Sequence, residues 1–523
     1  MNKIGLLIHT VRYLKPIQVG YRLKHFIRNR LGKSPQLEVF NDISRYAVPN
    51  LKFQPSIDNN KAYTPRNAFT FLNLKHTFPE HIDWNYAEYG RLWTYNLNYF
   101  EFLNQKDISI EEGLKLIDEY IKSIDNNKTG LEPYPISLRV MNWIRFFITH
   151  HIDNKRYNGY VLAQLQLLRK LKEYHLMGNH LLENGFAFLF GAYYLNDSMF
   201  YKEAKGILLP ELKEQILKDG AHFELSPMYH SLMTYRVLDC YNLVVSNDFF
   251  NRELEAFLKE VSEGMLSFLH AISFRNGDVP LINDAANGIA PSPSELFAYA
   301  QRLGLEVGES TFSESGYRKF TSVSYELIFD VGEVGPTYQP GHAHADTFSF
   351  QMHINNRPVI IDTGTSTYEV NETRFYERST RAHNTVTIGN ENSSQVWAGH
   401  RVAKRASVEL LKDDTNCIVA RHDGYKKKFG VYHTREIVVD ENGVTIMDDL
   451  EGQTGVAHFH FAPREFLLDG NQLRGDDFRI VFTNYTSIEK IATYHSPEFN
   501  KRVYNISLKI LFTGKLTTQI MCK

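Results

Sequence analysis

The chain has 523 residues, 43% of them hydrophobic and 23% charged. That length exceeds one hydrophobic core, so two or three folded domains are expected, without long disorder. Lys and Arg number 58 against 60 Asp and Glu, a formal charge of −2, which leaves no overall basic field to draw nucleic acid or an anionic membrane and makes any positive groove local. Cys240, Cys417 and Cys522 lie far apart. They offer neither a CxxC pair nor a disulfide framework, and they lean towards reducing surroundings.

The chain opens MNKIGLLIHTVRYLKPIQVGYRLKHFIRNR. The apolar run Ile4 to Ile8 is broken by His9, Arg12, Tyr13 and Lys15, and no small-residue cleavage site follows, so the segment does not read as a signal peptide. It reads as a basic amphipathic helix at a cytoplasmic start, with a periplasmic location as the alternative and weak peripheral contact with a membrane as an option. No run of about 18 apolar residues occurs, so an integral membrane protein is not expected. The polar stretch PSIDNNKAYTPRN then reads as a loop or strap, and residues 1–90 form the first unit.

Residues 91–317 read as helices in series. Leu114, Ile117, Ile121 and Ile124 recur at helical spacing, as do Leu182, Phe186, Leu189, Phe190 and Tyr193, and again Leu254, Phe257, Leu258, Val261, Met265 and Leu269. No fixed repeat period appears. Residues 318–523 read as strands. Phe348, Phe350, Met352 and Ile354 alternate with Ser349, Gln351 and His353, so His353 is expected on the solvent side of a strand. VYHTREIVVD and VTIMDDL flank ENG, a hairpin signal. Helices first and sheets second define a multidomain α-then-β protein.

The segment GHAHADTFSFQMHINNRPVIIDTG carries His342 and His344, which share a face if the segment is a strand. With Asp362 and with His383 in RSTRAHNTVTIG, it offers nitrogen and oxygen donors suited to a divalent ion. The same residues would also serve as loop caps. In HLMGNHLLENGFAF, Asn179 and Glu183 lie on one helix face, a turn after His175, and Asn179 could equally cap the helix start. In SPMYH, Tyr229 follows Pro227, where an element begins. RNGDVPLINDAANG, with Arg275, Asp278, Asn283 and Asp284, reads as a loop shaped by side-chain caps.

The segments NHLLENGFAF, SPMYH, GHAHADTFSF, VIIDTGT and YERSTRAHNTV occur in the order found in the heparinase II/III-like polysaccharide lyases, and the chain resembles that family over roughly residues 90 to 480. The resemblance implies an incomplete (α/α) toroid followed by an antiparallel β-sandwich. It implies β-elimination on a uronic-acid-containing glycan held between the two. It also implies roles for single residues: Asn179 at the uronate carboxylate, Tyr229 and His342 as the catalytic pair, and His180 and Glu183 as additional candidates. His344, Asp362 and His383 would be ligands of a structural divalent ion, typically zinc, with no organic cofactor. In this reading Arg139, Asn142, Trp143, Arg378 and Arg381 line an anionic-glycan cleft. The segment TVRYLKPIQVGYRLK is similar to that of relatives encoded with capsule or O-antigen synthesis genes, which points to the cell's own surface polysaccharide as a substrate. The competing readings are a non-catalytic glycan-binding or capsule-assembly protein and a metal-dependent glycan hydrolase.

Overall fold

The computed structural model describes residues 3–32, 35–40, 43, 46, 48–250 and 252–523. Two N-terminal helices, α1 (Lys3–Val11) and α2 (Pro16–Arg30), precede an extended strap. The strap carries a small antiparallel sheet that the polar composition of this region did not suggest: β1 (Tyr63–Thr64), β2 (Ala68–Phe71) and β3 (Leu74–Thr77). It holds because Tyr63, Phe69 and Phe71 turn inward onto the helical core.

Among the described residues nine α-helices follow: α3 (Arg91–Tyr99), α4 (Ile110–Ser123), α5 (Pro133–Thr149), α6 (Lys155–Leu171), α7 (Gly178–Leu195), α8 (Ser198–Gln215), α9 (Pro227–Ser246), α10 (Glu253–Ile272) and α11 (Pro293–Arg302). Alternate helices touch in sequence, α3 to α5, α5 to α7, α7 to α9 and α9 to α11, and form an inner arc. The intervening helices pack outside it, as α6 does on α5 and α7, and α10 on α9 and α11. This is the incomplete (α/α) toroid. The inner helices are apolar nearly all round, as a helix enclosed on every side must be; every residue of α7 is buried except His180.

Strands begin with a four-stranded sheet, β4 (Tyr317–Thr321), β5 (Tyr325–Asp330), β6 (Phe350–Ile354) and β7 (Arg357–Ile360). Asn355 and Asn356, both at positive φ, make the tight turn from β6 to β7. After a short helix, α12 (Glu372–Glu377), come β8 (Val386–Thr387) and the hairpin β9 (Val396–Trp397) and β10 (Arg401–Val402). Together with β8 the remainder builds a ten-stranded antiparallel sheet, whose central strands Gly443–His460 and Lys501–Cys522 pair along their length across a bulge between Asp449 and Thr454. Phe320, Leu327, Phe350 and Met352 of the small sheet meet Ile446, Phe459, Leu508 and Ile510 of the large one in a single core. Two sheets packed face to face form the sandwich.

The expectation of a solvent-facing His353 is corrected here. Every residue of β6 is buried. Its second face is covered by the loop after α10: Phe274 stacks on His353 with centroids 3.7 Å apart, and Leu281 N donates to Gln351 Oε1 at 3.3 Å. A sheet covered on both sides loses the alternation that marks a half-exposed strand.

Candidate functional site between the toroid and the sandwich

The inner helices α7 and α9 begin at the seam between the domains, so the positive ends of their dipoles face it. Ser226 caps α9 by accepting from Tyr229 N at 3.3 Å, with Pro227 as the first helical residue. That cap places Tyr229 in the first turn. Its ring stacks on His342 of the sandwich domain, with centroids 3.9 Å apart and planes at 29°. Tyr229 Oη lies 3.3 Å from Tyr368 Oη. Burial pushes both phenols above their ordinary range, and the carboxylates of Asp284 and, for Tyr229, Glu224 add to the shift. Both are protonated at neutral pH.

His342 and His344 are not on a strand, as the sequence suggested; they lie in the turn before β6. What brings them together is Asp284. His342 Nδ1 and His344 Nε2 each lie 2.9 Å from one of its carboxylate oxygens. Arg374 donates to both oxygens, through Nη2 to Oδ2 at 2.7 Å and through Nη1 to Oδ1. Asp284, His344 and Arg374 have no exposed side-chain surface. Burial alone would raise the Asp284 carboxyl, but Arg374 and the two imidazoles overrule it and hold it well below the usual range. An ionised Asp284 accepts Nδ1–H of His342, which fixes the ring and turns Nε2 away from Asp284. That Nε2 faces Glu224 Oε2 at 3.6 Å.

Asn179, the second residue of α7, does not cap the helix. Its backbone N–H and its Nδ2 both donate to the Glu224 carboxylate at 3.1 Å. Gly178 at φ +56° permits this approach, since a Cβ there would meet Glu224 Oε1 at 2.8 Å. Left-handed backbone recurs beside the site, at Met177, Leu225, Asn283 and Phe348, the clustering expected where a fold fixes functional groups. His400, in the β9–β10 hairpin, completes the rim. Its side chain is 44% exposed, and partial desolvation together with the neighbouring His342, Arg374 and Arg378 lowers its pKa, so it is neutral. Asp284, His342 and His400 present donor atoms within 4.8 Å of one another, a grouping that could hold a metal ion; Arg374 already supplies the positive charge there.

The other predicted residues divide. His180 sits beside this site on α7, 3.0 Å from Glu173 and over Tyr134; burial lowers its pKa, but Glu173 wins and the net shift is upward. Glu183 faces inward and pairs with Arg236 at 3.2 Å. Arg139, Asn142 and Trp143 do not line a cleft. Arg139 is fully buried on α5 and donates to Gln164 Oε1 at 2.7 Å and to the carbonyls of Asn98 and Gly130. Asn142 donates to Tyr99 O at 3.0 Å, and Trp143 is enclosed by Phe100 and Tyr120. Arg378 is also corrected: it is buried and spends its donors on the carbonyls of Ala343, Ala398 and Gly399. Arg381 is exposed and lines a groove of about 630 Å³ on the sandwich, none of whose lining residues belongs to the Tyr229–His342 set.

For the implied divalent ion the test is which buried donors lack a partner. Among the described residues His344 Nδ1 and His383 Nε2 are both buried without one, and so is Asp346 Oδ2. The two rings are 5.2 Å apart. Asp362 Oδ2 lies 2.7 Å from His383 Nδ1, the carboxylate–imidazole arrangement that orients a ligating histidine. These unpartnered atoms are of a type that can ligate a divalent ion, but among the described residues the group whose donor atoms lie within 4.8 Å of one another is Asp284, His342 and His400.

A tyrosine–histidine pair clamped between a helical toroid and a β-sandwich defines a class of two-domain protein. The family described as Heparinase II/III N-terminus matches residues 130–298, and that described as Heparinase II/III-like, C-terminal, matches residues 308–521. The chain belongs to the heparinase II/III-like family. It is 24% identical over 317 residues to a heparin-sulfate lyase of Bacteroides stercoris, covering 55% of this chain and 46% of that protein. It is 23% identical over 350 residues to a heparin-sulfate lyase of Pedobacter heparinus, covering 58% and 49%. The chain thus spans about half the length of the curated relatives it matches. A crystal structure of heparinase III superposes with a TM-score of 0.66 at 16% identity, covering 100% of this chain and 92% of that one. A chondroitinase AC lyase superposes at 0.51 and 9% identity, over 88% and 78%. At these identities the likeness is one of fold. The sequence does not single out Glu224, Tyr368, Arg374 or His400, and Asp284 reads there only as a loop cap; each meets partners distant in the chain.

Proposed function

We propose that the protein is a polysaccharide lyase that cleaves a uronic-acid-containing glycan of the glycosaminoglycan type by β-elimination. The observation that carries this reading is the Tyr229–His342 stack at 3.9 Å, with His342 held by ionised Asp284. Elimination needs a base for the C5 proton, an acid for the departing O4, and donors where charge develops on the carboxylate. His342 Nε2, with Nδ1–H committed to Asp284, is the base. Tyr229, kept protonated by burial, is the acid. Asn179 Nδ2, now donating to Glu224, and the N-terminus of α7 supply the positive end for the carboxylate. Zinc, held by His344 and His383 with Asp362 or Asp346, would supply fixed charge that ties the turn before β6 to the loops behind it. The relatives named heparin-sulfate lyases support the reaction class.

The test is the ultraviolet absorbance of an unsaturated uronyl end on mixing the protein with a panel of uronate polymers, the producing cell's own surface polysaccharide included. A rise with at least one polymer, lost in His342→Ala, is expected. Binding without any rise would favour a glycan-binding role, and reducing ends without it would favour hydrolysis.

A further inference from the structure

The two N-terminal helices are built inside out. A helix on a folded surface normally turns its apolar stripe to the core. Here α2 docks through polar and aromatic residues. Gln18, fully buried, donates to Leu176 O at 3.0 Å; Tyr21 packs on Tyr174 and His25 on His175; Arg28 donates to Lys170 O at 3.3 Å. Its apolar residues face outward: Leu23 is 58% exposed, Phe26 56%, Ile27 48% and Leu31 62%. The first helix repeats the pattern. Thr10 Oγ1 accepts from Trp397 Nε1 at 3.1 Å and donates to Leu6 O at 2.8 Å, with Val402 O 3.4 Å away, while Ile4, Leu7, Ile8 and Val11, spaced at i, i+3, i+4 and i+7, lie outward. Ten of the twenty-five large hydrophobic residues exposed among the described residues fall between Ile4 and Leu31. So dense a patch marks a contact surface.

Charge selects what it contacts. The first acidic residue of the chain is Glu38, while Arg12, Lys15, Arg22, Lys24, Arg28 and Arg30 precede it. The whole chain sums to −2, so the rest of the molecule is net acidic. A second copy of the chain would bring the same cationic patch against itself and be repelled. A polyanionic glycan would meet the cations but leave the apolar residues in water. A surface that is both anionic and apolar beneath satisfies both, and basic residues beside an apolar face are how interfacial helices bind one. The rest of the molecule, being acidic, would be turned away from it.

We propose that α1 and α2 together form a membrane-docking surface for anionic lipid bilayers. The helices lie in the interface with Leu7, Ile8, Leu23, Phe26 and Ile27 among the acyl chains and Lys24 and Arg30 at the head groups. This goes beyond the glycan reading and does not depend on it. It also places the seam between the domains near the bilayer, because α2 is hooked to the segment His175–Leu176 just before α7, and α1 to the β9–β10 hairpin that carries His400.

The experiment is co-sedimentation of the full chain with vesicles of phosphatidylethanolamine and phosphatidylglycerol, against vesicles of phosphatidylcholine alone. Binding to the anionic vesicles only, weakening with salt, is expected. The triple variant Leu23→Gln, Phe26→Gln, Ile27→Gln should lose it, and Lys24→Gln with Arg30→Gln should weaken it by about fivefold per cation. Because these side chains point away from the body, both variants should keep the wild-type melting temperature, which separates lost docking from lost folding. Equal binding to both vesicle types, or undiminished binding of the triple variant, would overturn the proposal. So would a dimer in vesicle-free solution that the triple variant dissolves, since the patch would then be a self-contact.

Discussion

Asp284→Asn is the most informative single change. The carboxylate is fully buried and serves four donors: Arg374 twice, His342 Nδ1 and His344 Nε2. Asparagine keeps the shape, but one of its two polar atoms becomes a donor facing donors, and the charge that balanced Arg374 is gone. Arg374 cannot reach water, and its remaining bond is Nε to Gly399 O at 3.0 Å. Leaving a buried charge unpaired costs about 3–5 kcal/mol, a large share of a protein's net stability. Activity should fall by about 10²–10⁴, because His342 loses the acceptor that fixes its tautomer. The assay is urea unfolding of wild type, Asp284→Asn, Arg374→Met and the double variant. The double variant should be more stable than Asp284→Asn alone, since it removes the orphaned cation. The sign of the pH dependence follows from the depressed carboxyl. Its stabilisation is complete above the unfolded value of about 3.9 and is lost as pH falls through the folded one. The gap between wild type and Asp284→Asn should therefore stay constant from about pH 5 to 8 and narrow only in stronger acid. If Asp284→Asn loses less than about 1 kcal/mol, or the double variant is the worst of the four, the buried-pair argument fails.

Tyr229→Phe removes a hydroxyl whose hydrogen-bond partner among the described residues is Tyr368 Oη at 3.3 Å; stability should change by less than about 1 kcal/mol while turnover falls by about 10²–10⁴, and comparable losses in both would mean a structural tyrosine. His344→Ala should lower the melting temperature and the bound-zinc content measured by elemental analysis, whereas His342→Ala should keep both and lose activity; equal losses of melting temperature would contradict that division. Gly178→Ala puts a Cβ 2.8 Å from Glu224 Oε1 at φ +56°, so it should cost about 1–2 kcal/mol and shift KM for a uronate polymer by disturbing Asn179; an unchanged KM would separate Asn179 from substrate. Burial holds His230 and His353 at a pKa of about 4, so the unfolded chain binds more protons below about pH 6.5 and each group removes up to about 1.4 kcal/mol per pH unit on acidification. His353→Phe should flatten that acid limb, and an unchanged slope would show His353 to be charged in the fold.

The change from helices to strands was legible because hydrophobic period is a local property. The stripe Ile117, Ile121 and Ile124 is buried as its spacing implied, and the start of α9 followed from Pro227. Misreadings came where a surface was covered by something distant in sequence. His353 alternates with buried neighbours, yet the loop at Phe274 closes its face. Arg139, Asn142 and Trp143 have cleft-like chemistry, but they sit on an inner helix whose every side is enclosed, and the run VMNWIRFF around them was the local signal of that. Tyr229 and His342 could be named from motif resemblance. The residue that joins His342 to His344 could not be, because Asp284 is 58 and 60 residues from them and 90 from Arg374, and its own segment reads as an ordinary turn.

How the glycosidic bond breaks tests the roles of Tyr229 and His342 most directly. Cleavage of a susceptible uronate polymer in oxygen-labelled water, followed by mass spectrometry of the fragments, distinguishes the two routes. Elimination through Tyr229 and His342 predicts fragments whose masses sum to that of the polymer, with an unsaturated terminal ring and no label. One labelled oxygen in every new end would mean that water is the attacking group, and the roles assigned to these two side chains would be wrong.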